Sequence, residues 1–317
     1  MNNKCLFCYE MNEDNGGNEM HLKCCKRIFD TKDIPEIPYS LNEIEKIAEQ
    51  VVRSSFTITG AQPKISLDFN IDQKEKKRLT IVGLWGNYIL KPPTTLYPFM
   101  PEIEDLTMRL AEIFKIKTVK HSLIRLKSGE LSYITKRIDR IKQKNILIKL
   151  QMEDMCQLSE RLTEDKYKSS IEKIAKMIVR YSDFPLLDCI LLFEIVLFSF
   201  ITGNADMHLK NFSLIRNQLG EIRLSEAYDL VATKLIIPED KEETALTING
   251  KKKNLRKKDF DILSENMNIN IKTRDSIYQR IINSEKPFFN FIDKSFLSEE
   301  LKIKFKNIIT GKIRIFE

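Results

Sequence analysis

Residues 203–213 read GNADMHLKNFS and directly follow the most apolar stretch of the chain, Leu186 to Ile201. A helix that is apolar on every side is buried, so the polar loop at its end is held in place. The loop gathers Asp206, His208, Lys210 and Asn211. Asp229 follows in AYDLV, behind short strands predicted at Phe212–Ile215 and Ile222–Leu224. Phosphoryl transfer needs a carboxylate beside the attacking hydroxyl, a cation near the γ-phosphate and oxygen ligands for magnesium. Asp206, Lys210 and the pair Asn211 plus Asp229 suit those three roles. An Asp-x4-Asn loop followed by a hairpin and a second Asp is the arrangement of protein kinases. If Asp206 and Asn211 merely formed turns and Asp229 a cap, nothing would explain their order and spacing.

Two upstream segments fit the same chemistry. Ile89-Leu90-Lys91-Pro92-Pro93 ends a predicted strand on Lys91, a cation placed to grip α- and β-phosphates. SSFTITGAQPK, residues 54–64, has Gly60 for close backbone approach to a phosphate and Lys64 for charge. The hydroxyls of Ser54, Ser55, Thr57 and Thr59 make that loop a candidate phosphorylation target itself. The GxxxxGK[ST] pattern is absent, which disfavours a P-loop NTPase.

Around these motifs the apolar spacing changes character along the chain. Residues 41–53 and 101–114 carry helical spacing. Residues 56–69, 83–90, Ser122–Leu126 and Leu131–Thr135 read as strands and turns, and helices dominate from about residue 150. A length of 317 residues suits one large domain or two lobes, and 42% hydrophobic with 31% charged residues excludes a disordered chain. The expectation is an α+β fold with a strand-rich N-lobe, residues 1–138, and a helical C-lobe, residues 139–317. A ligand cleft would lie between the lobes, and the hinge near Lys136 to Asp139. The C-lobe would hold the catalytic loop 203–213 and a metal-binding segment at 226–231.

The first thirty residues stand apart. Cys5 and Cys8 form a CxxC, and His21 and Cys24 an HxxC. This spacing suits a small zinc knuckle, or equally four side chains that bind nothing. Residues 5–20 lack the apolar run of a secretory signal, so the six cysteines are expected as reduced thiols in a cytoplasmic protein. Leu186 to Ile201 holds Asp188 and Glu194 and is too short to span a bilayer; no membrane partner is expected. The net charge of +7, from 52 basic against 45 acidic residues, is concentrated at Lys251, Lys252, Lys253, Arg256, Lys257 and Lys258. That run reads as a solvated loop ahead of a nucleic-acid contact.

TGAQPK, YILKPP, TKRIDR, EDMCQ, GNADMHLKNF and AYDL, in that order over residues 54 to 235, resemble the HipA family of bacterial Ser/Thr kinases. The resemblance implies a kinase-like bilobal fold, ATP and Mg2+ as cofactors, and a toxin that phosphorylates an aminoacyl-tRNA synthetase. It also implies a DNA-binding antitoxin partner, with DNA reached only through that partner. Asp206 would be the catalytic aspartate, Asn211 and Asp229 the Mg2+ ligands, and Lys91 the phosphate-binding lysine. Lys136 and Ile138 would meet adenine through their backbones and Asp139 the ribose; Gly60, Ala61, Gln62, Lys64 and His208 complete the nucleotide-binding set. EDMCQ, residues 153–157, would lie near the substrate side. Autophosphorylation would fall among Ser54, Ser55, Thr57 and Thr59. The stretch before the Gly-loop is shorter than in full-length HipA. That resembles the HipT-type toxins, whose missing subdomain is a separate small protein, so a three-component system is expected. A small-molecule kinase, and a non-catalytic partner in a DNA-bound repressor complex, are the alternatives.

Overall fold

The protein is described here by a computed structural model covering residues 4–12, 18–54, 63–71, 77–82, 86–143 and 146–317. It divides into two compact units. One comprises Met1–Asp105, Val119–Arg137 and Lys294–Phe296, the other Leu106–Thr118, Ile138–Asp293 and Leu297–Glu317. Mixed helix and strand, the chain is α+β.

The first unit contains helices α1 (Leu22–Phe29) and α2 (Leu41–Ser54) and strands β1 (Ile65–Ile71), β2 (Lys77–Ile81), β3 (Tyr88–Lys91), β4 (His121–Arg125) and β5 (Leu131–Lys136). It also holds the start of α3 (Met100–Ile113). The strands form one sheet in the order β2-β1-β3-β5-β4, every neighbouring pair antiparallel. Side chains alternate across a pleated strand, and the register shows the result. Leu90 lies opposite Ile134 and Ile65, all buried, each such side chain contributing about 1.5–3 kcal/mol. The next position, Lys91, lies opposite Tyr133 on the other face. Gly86 sits hard against β1: a Cβ there would come 2.6 Å from the Leu67 carbonyl oxygen, so only glycine fits before β3. Strand β3 ends on Lys91, as the spacing predicts. Helix α1 was not anticipated; eight residues are too few for a clear helical period.

The second unit begins with two short hairpin strands, β6 (Arg140–Gln143) and β7 (Ile146–Lys149). Strands β8 (Met152–Asp154), β9 (Ser213–Arg216) and β10 (Ile222–Leu224) form a three-stranded antiparallel sheet in the order β10-β9-β8. The helices are α4 (Met155–Leu158), α5 (Ile171–Tyr181), α6 (Pro185–Ile201), α7 (Thr233–Ile236), α8 (Lys257–Asn266), α9 (Ile271–Lys294) and α10 (Glu299–Ile313). Strands β6 to β8 add β-structure just where helix was expected to take over.

Helix α6 is the axis of this unit. Its Phe193, Phe198 and Phe200 are completely buried. Phe198 meets Phe114 and Phe288, and Phe200 meets Phe260 and Phe316, with ring centroids 4.9–6.1 Å apart. The two acids in this apolar stretch are both matched. Glu194 pairs with Arg280. Asp188, fully buried, accepts from Arg223 Nη2 at 3.0 Å, Arg223 Nε at 3.1 Å, the Leu224 N–H at 2.8 Å and Ser182 Oγ at 2.5 Å. It thereby clips the β9–β10 hairpin to α6. The basic run is partly paired rather than wholly solvated. Lys251 meets Asp259 at 2.7 Å, Lys252 meets Glu242 at 3.2 Å, and Lys257 opens α8. Among the described residues no helix is long and apolar enough to cross a membrane.

Removing the Asp188 carboxylate leaves the buried Leu224 N–H without its acceptor. Asp188→Ala is therefore expected to destabilise the protein by about 1–3 kcal/mol, seen as a lower urea midpoint. A change below about 1 kcal/mol would contradict the clip.

Candidate active site

The loop after α6 is fixed by how that helix ends. Thr202 donates through N–H and Oγ1 to the Phe198 carbonyl, at 3.0 and 2.8 Å. Gly203 then turns with φ +69°, and a Cβ there would meet Ile308 and Lys234 at 3.0 Å. Glycine alone accepts both the backbone angle and the space. Thr233 ties the turn from the far side: its Oγ1 donates to the Gly203 carbonyl at 3.3 Å and accepts from the Ala205 N–H at 2.8 Å. Lys234 N–H adds a bond to Gly203 at 3.0 Å.

Asp206 emerges exposed from this anchored turn, and its Oδ1 accepts from the Tyr167 hydroxyl at 2.8 Å. Asn211, buried in the short 3-10 turn Leu209–Asn211, donates its Nδ2 to the Asp206 carbonyl at 3.1 Å. With the amide nitrogen so used, its side-chain oxygen is the atom left to serve a cation. Lys210 Nζ is held 3.2 Å from Asp154 Oδ2. Asp154 also caps α4, accepting from the Gln157 N–H at 2.8 Å while Gln157 Oε1 accepts from the Asp154 N–H at 2.9 Å. The EDMCQ segment is thus brought directly beside the loop. Tyr228, in the segment after β10, braces it, donating to the Lys210 carbonyl at 3.0 Å and sharing a 2.6 Å bond with Ser213 Oγ.

Asp229 occupies the left-handed region at φ +61°, which costs a non-glycine residue about 1–2 kcal/mol. Its carboxylate and that of Asp206 both act on His208. Burial pushes the His208 imidazole down to about 4, against the opposing pull of Asp206 and Asp229. His208 is consequently neutral at pH 7, with its ring packed edge-on to Tyr167 at 5.2 Å. Asp206, His208, Lys210 and Asn211 thus lie in one loop, and Asp229 directly follows Tyr228, whose hydroxyl donates to the Lys210 carbonyl. Carboxylate and amide oxygens are hard donors that suit Mg2+.

In the first unit Lys91 is buried and its Nζ lies 2.5 Å from Glu104 Oε1, with the Tyr133 ring 5.4 Å away. Spacing alone gave no sign of Glu104. A strand lysine paired to a helix glutamate is, however, what kinases use to hold a phosphate-binding lysine, and Glu104 could have been sought on the helix after Lys91. Tyr167 and Thr233 were also missed; a lone tyrosine or threonine in a loop carries no spacing signal. The Lys136 N–H is taken by the Lys120 carbonyl at 2.8 Å and its ammonium by Asp30. The Asp139 carboxylate is engaged by Arg140, while the Asp139 carbonyl accepts from the Leu150 N–H at 2.9 Å. Ile138 lines a cavity of about 550 Å³ with Ile116, Ile141, Leu150 and Ile195. Lys64 is exposed just before β1, and Ser54 closes α2. Ser55, Thr57, Thr59, Gly60, Ala61 and Gln62 lie outside the described residues.

The family model described as HipA-like C-terminal domain matches residues 56–286. A Haemophilus influenzae protein named "Putative kinase" is 28% identical over 206 residues, covering 62% of this chain and 58% of that protein. "Putative kinase Y4mE" of Sinorhizobium fredii is 30% identical over 210 residues, covering 65% of this chain and 48% of that protein. The chain thus spans about half the length of these relatives. Among solved structures, a chain of the Shewanella oneidensis MR-1 toxin–antitoxin complex of HipA, HipB and operator DNA superposes with a TM-score of 0.70. It is 17% identical and covers 88% of this chain and 71% of that one. The Helicobacter pylori proinflammatory kinase CtkA gives a TM-score of 0.52 at 16% identity, covering 72% of this chain and 86% of that one.

Two outcomes follow from the buried groups. His208 has a folded-state pKa of about 4 against an ordinary 6.5, so between those values the unfolded chain binds more protons. Its contribution to stability is full above about pH 6.5 and falls as the pH drops towards 4. An NMR titration should place the imidazole midpoint near 4; a midpoint near 6.5 would contradict the buried neutral ring. Glu104→Ala, which removes the carboxylate 2.5 Å from the buried Lys91 ammonium, should lower the midpoint in urea melts; an unchanged midpoint would contradict a structural role for the pair.

Proposed function

The chain belongs to the HipA-like C-terminal domain family, and from that premise we propose that it is an ATP- and Mg2+-dependent Ser/Thr protein kinase. One observation carries the reading: the Gly203 turn gathers Asp206, Lys210 and Asn211 into one rigid loop, with Asp229 next to Tyr228, which donates to the Lys210 carbonyl.

In this proposal Asp206 orients a substrate hydroxyl and takes its proton as the oxygen attacks the γ-phosphorus; the bond to the β-phosphate oxygen breaks and ADP leaves. Tyr167, bonded to Oδ1 of Asp206, fixes that carboxylate's rotamer. Asn211 and Asp229 would hold Mg2+, which when bound neutralises charge on the phosphates. Lys210, steadied by Asp154, offers positive charge to the transferred group, and Lys91, held by Glu104, grips the phosphates nearer the nucleoside. Catalysis of this kind is mainly positioning and electrostatics, which suits a loop pinned at both ends. Autophosphorylation is placed among Ser54, Ser55, Thr57 and Thr59, where added negative charge would oppose ATP.

The cellular role we propose is that of a toxin acting on a translation component, an aminoacyl-tRNA synthetase. It would be restrained by a DNA-binding antitoxin and, as in HipT-type systems, accompanied by a small separate protein. The likeness to a HipA chain solved with HipB and operator DNA supports the antitoxin.

Incubating the purified chain with γ-labelled ATP, Mg2+ and a bacterial lysate tests the reading. Label on the chain and on one discrete lysate protein is expected, with Asp206→Asn reducing transfer roughly 100- to 10,000-fold while the fold persists. Unchanged transfer in Asp206→Asn would overturn the assignment. Label found only on small molecules would overturn the protein-kinase reading.

A further inference from the structure

Far from the phosphate-transfer residues in sequence, four soft ligand groups meet near the start of the chain. The Sγ atoms of Cys5, Cys8 and Cys24 and a ring nitrogen of His21 all lie within 4.8 Å of one another. None of these cysteines is in a disulfide. His21 Nδ1 is 3.3 Å from Cys8 Sγ and 3.8 Å from Cys24 Sγ. Around a tetrahedral Zn2+ with bonds of about 2.0–2.3 Å, ligand atoms stand roughly 3.5–3.8 Å apart, so these spacings need little adjustment.

The surroundings orient the ligands. His21 Nε2 is 3.0 Å from the Met11 carbonyl. That carbonyl can only accept, so Nε2 carries the proton and Nδ1 is left with a lone pair for a metal. The His21 N–H donates to Cys5 Sγ at 3.4 Å, a bond that favours a sulfur bearing negative charge. The CxxC turn is closed by the Tyr9 N–H on the Cys5 carbonyl at 2.9 Å, with Tyr9 at φ +64°. The HxxC pair is set by the first turn of α1, where the Cys24 N–H donates to the His21 carbonyl at 2.9 Å. Cys25, though buried, is not part of the group. Three thiols and one imidazole in tetrahedral reach select Zn2+ over the hard cations Mg2+ and Ca2+.

We propose that Cys5, Cys8 and Cys24 through sulfur and His21 through Nδ1 hold one structural Zn2+, and that this ion fastens the N-terminal arm across the edge of the five-stranded sheet. The Leu6 carbonyl, inside the CxxC turn, accepts from the Leu123 N–H at 3.3 Å and Ser122 Oγ at 3.2 Å on edge strand β4. Tyr9, one residue past Cys8, donates to Asp105 Oδ2 at 2.7 Å, and Asp105 Oδ1 meets His121 Nδ1 at 2.6 Å. Asp105 adjoins Glu104, the partner of Lys91. The metal therefore steadies the start of α3 from which Glu104 reaches the phosphate-gripping lysine.

The test is metal analysis of the full chain purified without chelator, independent of any phosphotransfer assay. One zinc per chain is expected in the wild type and in Cys25→Ser, and a loss of at least half in Cys8→Ser and His21→Ala. Should those two variants fail to fold, Co2+ substitution of the wild type decides: tetrahedral d–d bands with thiolate-to-cobalt charge transfer are expected. Stripping the ion should lower the wild-type Tm and restore it on re-addition of Zn2+. Folded wild type that holds no zinc and gives no tetrahedral cobalt spectrum would overturn the site. Loss of zinc in Cys25→Ser would overturn the ligand set, and an unchanged Tm on stripping would overturn the clamp.

Discussion

Helix α6 is apolar on every side, and its last carbonyls emerge inside the protein, where each needs a donor that water cannot supply. Thr202, Gly203 and Asn204 meet that demand with their own N–H groups, on Phe198, Phe200 and Ser199 at 2.8–3.3 Å. The loop beyond inherits the rigidity of the core. Thr233 and Lys234 grip Gly203 from the other side, so Asp206 is presented to solvent from a backbone fastened on both flanks. An exposed carboxylate on a flexible loop would be an ordinary surface acid. On this loop it is a positioned one.

Buried charge in the first unit follows the same logic. Lys91 Nζ donates to Glu104 Oε1, and Asp105 is shared by Tyr9 and His121. A buried pair adds little net stability over apolar residues of the same size. Its place at the end of β3 and the start of α3 suits the phosphate-binding role proposed for Lys91. The arm carrying Cys5, Cys8, His21 and Cys24 reaches one of these carboxylates, Asp105, through Tyr9.

Much of this was legible in the residues alone. The apolar strand that ends on Lys91, the all-round apolar α6 and the Asp206–Asn211–Asp229 order each follow from a local rule, and the α+β architecture follows from their sequence. What was not legible depends on tertiary contact. Tyr167 reaches Asp206 across 39 residues, Lys210 reaches Asp154 across 56, and Thr233 reaches Gly203 and Ala205 across 30 and 28. No periodicity announces such partners. The β6–β7 hairpin was missed for a different reason: residues 140–149 are rich in lysine and isoleucine, which alternate too briefly to outweigh the helical signal beyond.

The central claim is that the Gly203 loop and Asp229 together form a metal-dependent nucleotide site, and calorimetric titration with a non-hydrolysable ATP analogue tests it most directly. Binding that requires Mg2+ and disappears in Asp229→Asn, with the fold intact, is the predicted result. Nucleotide binding indifferent to both Mg2+ and that substitution would contradict the account.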